Sequence, residues 1–122
     1  MCGIFGLTVF SDSGLRPREI TRAVKDLFVL SESRGKEAAG LFVTSRGEIN
    51  ILKKPCPATD LIRSKEFHEF CQKICVFDPV REHSLSIIGH SRLVTNGCRE
   101  DNRNNQPILS GNVMGVHNGI VV

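Results

Sequence analysis

Hydrophobic positions along this chain follow two rhythms, and the switches between them mark the elements. Gly3 to Phe10 is nearly unbroken apolar sequence with Ile4, Phe5, Leu7 and Val9, which predicts a strand covered on both faces. Ser11-Asp12-Ser13-Gly14 ends it as a turn. Pro17 stands where a first helical turn tolerates proline, and Ile20, Ala23, Val24, Leu27 and Phe28 follow at helical spacing with charges between them. The spacing predicts a helix ending near Ser33. Ala39 to Thr44 and Ile49 to Lys53 read as strands joined at Arg46-Gly47, a hairpin, before Pro55 and Pro57 break the pattern. A second helical region over Ala58 to Val76 carries an apolar stripe of Phe67, Phe70, Cys71 and Ile74.

Ser84 to Val94 is the next strand, and Thr95 to Gln106 is a polar loop without periodicity, fit for binding or for movement. Pro107 to Leu109 and Val113 to His117 pair across Ser110-Gly111-Asn112, after which Asn118-Gly119 turns the chain into Ile120-Val121-Val122. Two groups of hairpin strands with two intervening helices define an α+β layered domain. The chain stops inside what reads as a strand, so the domain is expected to be truncated there.

Composition narrows the class. One domain fits 122 residues, and 40% hydrophobic with 24% charged residues is ordinary for a soluble globular protein. A formal charge of +3, spread without a run, gives no footprint for nucleic acid or for a membrane surface, and no apolar run is long enough to span a bilayer. Five cysteines without the spacing of a small secreted domain suit free thiols in a reducing compartment, hence a cytoplasmic location. His68, Cys71 and Cys75 fall within two turns of one helix, yet no CxxC pair or fourth ligand accompanies them, which favours core packing over a metal site.

The first residues carry the candidate chemistry. Met1-Cys2-Gly3 leads directly into the apolar strand, without the basic and apolar regions of a secretion signal. Removal of Met1, which the small side chain of Cys2 permits, would leave a thiol and a free α-amine on one residue. An ordinary thiol titrates near ~8.5 and an α-amine near ~8, so the amine is partly neutral at neutral pH and can take the thiol proton directly or through water. That is the logic of an N-terminal nucleophile serving as its own base. The alternative is that Cys2 only begins a buried strand, since free cysteine is among the most buried residue types.

Three further stretches are rich in glycine: Arg34-Gly35-Lys36-Glu37-Ala38-Ala39-Gly40, Gly89-His90-Ser91-Arg92-Leu93-Val94-Thr95-Asn96-Gly97 and His117-Asn118-Gly119. Taken singly they are explained by a helix C-cap, a strand-to-loop turn and a hairpin turn. Taken with Met1-Cys2-Gly3-Ile4-Phe5-Gly6, in this order, they resemble the class II glutamine amidotransferase domain. The likeness is closer to the sugar-aminating and purine-synthesising types than to asparagine synthetases, and it runs from Cys2 to Val122.

The resemblance implies a four-layer αββα N-terminal nucleophile hydrolase sandwich with the nucleophile at the end of a central strand. It also implies hydrolysis of L-glutamine to glutamate and ammonia through a thioester, with no cofactor and no metal. Residue by residue, Cys2 matches the nucleophile and Arg92 the arginine that holds the glutamine α-carboxylate. Thr95 and Asn96 match positions lining the same pocket, and Asn118 and Gly119 match the oxyanion hole. Arg34, near the nucleophile, and Gly97 match supporting positions. The family's aspartate for the glutamine α-amine, and the strands that complete its sheets, would fall beyond Val122. No acceptor or synthase domain is present, so ammonia would pass to a domain or subunit outside this chain, and self-association into a homo-oligomer is left open. Two other readings remain: a catalytically incompetent fragment serving as a binding or regulatory module, and an N-terminal nucleophile hydrolase acting on another amide.

Overall fold

The alternation of buried and exposed side chains in the first strand shows how the chain is layered. In a computed structural model, which describes residues 1–76, 83–95 and 97–119 (75 and 76 by backbone only), β1 (Gly3–Val9) buries Gly3, Phe5 and Val9 and exposes Ile4, Gly6 and Thr8. One face of β1 is therefore covered, rather than both. Ile4 is the one large apolar side chain on the outward positions, beside Gly6 and Thr8, so the unbroken apolar run conceals a two-residue alternation.

The remaining elements are α1 (Pro17–Glu32), β2 (Ala38–Ser45), β3 (Glu48–Lys54), α2 (Ala58–Leu61), α3 (Lys65–Val76), β4 (Leu85–Arg92), β5 (Ile108–Ser110) and β6 (Val113–Gly115). Four strands form an antiparallel sheet in the order β1-β4-β2-β3, with Gly3 opposite Ser91, Leu41 opposite Gly89 and Leu52 opposite Leu41. β5 and β6 form a separate hairpin. The fold is thus α+β with antiparallel sheets. Among the described residues β1 is an edge strand, not a central one, because β4 inserts between it and β2.

The core lies between one sheet face and the helices. Phe28 of α1 is completely buried, with Phe5 edge-on at 4.8 Å and Phe67 of α3 edge-on at 6.3 Å between ring centroids, the geometry that aromatic quadrupoles favour. Ile20, Val24, Leu41, Val43, Leu61 and Ile87 pack around them. The helical region expected over Ala58 to Val76 is broken at Ile62–Ser64. Ser64 explains the break: its hydroxyl donates to Leu61 O at 2.7 Å and accepts the Phe67 N–H at 3.2 Å, closing one helix and capping the next. The bend lets Leu61, Ile62 and Phe67 all reach the core.

The opposite sheet face is covered differently. Residues 97–107 lie over its Ala38, Gly40, His90 and Arg92 end, where Lys53 Nζ donates to Asn105 O at 2.7 Å and to Pro107 O at 3.0 Å. Beyond that cover Ile49 and Ile51 of β3 are exposed. Cys2, Cys56, Cys71 and Cys98 are free thiols. Among the described residues no helix is long and apolar enough to cross a membrane.

Ser45 pairs with Glu48 across a two-residue loop in which Arg46 has φ 55° and Gly47 φ 76°, as a type I′ hairpin turn requires. Arginine is strained there whereas asparagine visits this region readily. Arg46→Asn is therefore expected to raise the unfolding free energy by about 0.5 to 1 kcal/mol, measured by urea denaturation with an unchanged m-value; a lower stability would contradict this account of the turn.

Candidate active site

The first and last of the four motifs meet. The Cys2 backbone N donates to Asn118 Oδ1 at 2.9 Å, linking residues 116 positions apart. The acceptor end of the Asn118 carboxamide is thereby engaged, and Nδ2, its donor end, occupies the other branch. The Cys2 sulfur sits against main chain at the end of β4, 3.4 Å from Leu93 N, which donates to it, and 3.6 Å from Leu93 O.

The segment after α1 closes over the same place. The helix ends at Ser33 in right-handed geometry, and Gly35 does not take the left-handed conformation of a glycine C-cap. Its role is close approach, since a Cβ at Gly35 would lie 2.3 Å from Arg92 C and 2.4 Å from Leu93 N. Glu37 N–H completes the contact by donating to Arg92 O at 3.1 Å. The C-terminal turn of α1 is tied to β4 by the buried Ser31 and Ser91 hydroxyls, 2.7 Å apart.

Two depressions flank Cys2. One of about 530 Å³ is lined by Cys2, Ile4, Leu27, Leu30 and Asn118, together with Ser33 and Arg34. The other, of about 470 Å³, is lined by Met1, Lys36, Glu37 and Leu93, again with Ser33 and Arg34. Arg34 therefore faces both. Met1 is 74% exposed, so its removal takes nothing from the core.

Arg92 is only 6% exposed, and its Nη1 donates to Asn105 Oδ1 at 2.8 Å. Asn105 is itself fully buried, with its Nδ2 donating to Arg99 O at 2.6 Å and Asn102 Oδ1 at 2.9 Å. The polar loop, which composition marked as fit for binding or for movement, is thus internally bonded. Thr95 is exposed where the loop begins, and Asn96 lies outside the described residues. Gly97 has φ 75°, and a Cβ there would lie 2.9 Å from Asn104 Cγ, so it serves the loop's own packing. Gly119 is exposed beside Asn118, and neither residue has positive φ. The Asn-Gly pair therefore does not make the expected type I′ turn, and the strand expected at 120–122 lies outside the described residues. The structure brings Cys2, Asn118 and Arg34 together, sets Arg92 one residue beyond the Gly3–Ser91 pair, and leaves Thr95 and Gly97 with the loop.

Sequence reasoning missed His90, Asn105 and Gln106. Asn105 and Gln106 had no signal beyond their place in a polar loop, and His90 was visible only as a member of the glycine-rich stretch 89–97. His90 is fully buried, and its Nε2 donates to His117 O at 3.2 Å. Its Nδ1 is buried with no partner among the described residues, which suits a neutral ring. Burial pushes the His90 pKa down to about 4, with the Arg92 and His117 charges adding to the effect and the His117 carbonyl opposing it. Of the candidate metal ligands, Cys71 is half-buried against the core and His68 is exposed, its Nδ1 2.7 Å from Ser64 O. The Cys75 side chain is outside the described residues. Among those residues no group of three His, Cys, Asp or Glu is placed to hold a metal ion.

Comparison of the chain with protein-family models, with curated proteins and with solved structures gives no match.

A histidine whose folded pKa lies below its unfolded value of ~6.5 binds its proton more readily in the unfolded chain. Its contribution is complete above ~6.5 and is lost as pH falls toward about 4. The unfolding free energy is thus expected to fall by on the order of 3 kcal/mol across that window, and His90→Gln should flatten the slope in urea titrations at stepped pH. An equally steep slope in the variant would exclude His90 as its source.

Proposed function

We propose that the chain is the nucleophile-bearing part of a class II glutamine amidotransferase domain, and that Cys2, once Met1 is removed, hydrolyses L-glutamine to glutamate and ammonia. The observation that carries this reading is the 2.9 Å hydrogen bond between Cys2 N and Asn118 Oδ1. The side chain assigned to the oxyanion hole touches the residue assigned as nucleophile. Arg34 on the wall of the Cys2 depression supports the same reading.

The chemistry follows from these groups. The α-amine of Cys2 accepts the thiol proton as sulfur bonds to the side-chain carbonyl carbon of glutamine. The carbonyl oxygen becomes negative, and Asn118 Nδ2 with the Gly119 N–H stabilises that charge more than it stabilises the ground state. The C–N bond then breaks, the protonated amine gives its proton to the leaving nitrogen, and ammonia departs for an acceptor domain or subunit. Water, deprotonated by the same amine, adds to the thioester, releasing glutamate and restoring the thiol. Arg92 offers a planar fork to the substrate α-carboxylate, with its plane held by the bond to Asn105, and the family resemblance assigns Thr95 and Asn96 to the same substrate end. In the αββα arrangement the sheet face carrying Ile4, Ile49 and Ile51 receives the second sheet, to which β5 and β6 belong. The exposure of those three isoleucines supports this.

The test is intact mass after exposure to a diazoketone analogue of glutamine. The expected product has lost one methionine and gained one adduct, which glutamine suppresses and Cys2→Ala abolishes. A processed but unlabelled protein would overturn the glutaminase reading in favour of a binding module. Separately, Arg92→Lys is expected to raise KM for glutamine roughly tenfold, because one bidentate contact is lost. With an unchanged melting temperature, an unaltered KM would remove Arg92 from the substrate site.

A further inference from the structure

The residue that must present an oxyanion donor lies on an unpromising piece of chain. His117, Asn118 and Gly119 are exposed and belong to no helix or strand. Oxyanion donors act only when held within a few tenths of an ångström of their working position, so something has to hold this segment still.

Two side chains grip the residue next to Asn118. Gln106 Nε2 donates to His117 O at 3.0 Å, while Gln106 Oε1 accepts the His117 N–H in a short contact. One carboxamide thus bonds both polar groups of one residue, as a neighbouring strand would. His90 Nε2 adds a second donor to the same carbonyl at 3.2 Å. Both grips are rigidly based. His90 is fully buried in β4, between β1 and β2. Gln106 is flanked by the buried Asn105 and Pro107, and its own carbonyl lies against β2, 2.3 Å from where a Gly40 Cβ would be. From the sheet, the chain of contacts runs through the His117 peptide groups to Asn118, and from Asn118 to Cys2.

We propose that Gln106 and His90 are positioning residues, which act through the backbone of His117 to aim the Asn118 carboxamide at the Cys2 site; the catalytic consequence rests on the glutaminase reading. Neither needs to touch substrate. Gln106 carries the larger share, because it fixes both the N–H and the carbonyl of His117 and so sets the rotation of the segment as well as its height above the sheet.

The test is a double-mutant cycle on the full chain with Met1 removed. Gln106→Ala is expected to lower kcat on the order of tenfold with KM for glutamine little changed. In an Asn118→Ala background the same change should cost clearly less than it does alone, because the carboxamide being aimed is gone and only the Gly119 N–H is left to misplace. Gln106→Glu, which keeps an acceptor for the His117 N–H and loses the donor, should fall between wild type and Gln106→Ala, and it serves if the alanine variant does not fold. A full additional loss in the double variant, or an unchanged kcat in both folded single variants, would overturn the proposal. The Asn118 side-chain amide signals in a ¹⁵N–¹H NMR spectrum separate this from failure of the glutaminase reading. If the wild type has no glutaminase activity, those signals should still move toward the values of a freely rotating asparagine side chain in Gln106→Ala, as the bond to Cys2 N is loosened, while the core amides stay in place. Unmoved Asn118 signals would refute the positioning role whatever the enzyme assay gives.

Discussion

A guanidinium almost out of contact with water has to be met by protein, and much of the second sheet face follows from that demand at Arg92. A buried cation left without an acceptor costs several kcal/mol. Asn105 supplies the acceptor, yet Asn105 is also buried and must place its own amide protons, which it gives to Arg99 O and Asn102 Oδ1. The loop is therefore obliged to curl around this side chain. The curl sets Gln106 beside His117 and brings Asn105 O and Pro107 O within reach of Lys53. One buried charge thus organises residues 97–107, none of which belongs to the apolar core among the described residues.

The two faces of the sheet solve different problems, and Cys2 lies at their seam. The helix face is closed by apolar contact around Phe28, with the Ser31–Ser91 bond fixing where α1 ends relative to β4. That fixes Arg34 and Gly35 against Leu93. The Gly40, His90 and Arg92 end of the other face is closed by hydrogen bonds of the loop, which fix His117 and Asn118. The sulfur at the head of β1 meets Leu93 from the first system, and the backbone nitrogen of the same residue meets Asn118 from the second.

How much of this could be read from the sequence depends on whether burial repeats regularly. The helix over residues 17–32 was legible because Ile20, Val24 and Phe28 recur at its period, and the first hairpin because Arg46-Gly47 separates two β-rich runs. The break at Ser64 was not, since apolar residues continue on both sides and only the hydroxyl's two bonds mark the change. β1 misled because the outward Ile4 stands beside the inward Phe5, so the run reads as unbroken. In the site, Cys2 and Asn118 stood out by residue type and order. Asn105, Gln106 and His90 did not, because their work is done through bonds to partners 11 to 27 residues away, and sequence patterning carries no trace of such bonds. Gly35 was noticed for the wrong reason, as a helix cap, when its missing side chain makes room for a neighbouring strand.

The span of the contact between Cys2 and Asn118 also sets an order of events during synthesis. Leu93 follows Cys2 by 91 positions and Asn118 by 116, so a chain emerging from the ribosome carries its first residues uncovered while most of its length is being made. Through that interval the Cys2 thiol and backbone nitrogen have neither Leu93 nor Asn118 beside them. The topology itself therefore makes the closing of this corner a late event, after the sheet strand and the loop that it leans on have been made.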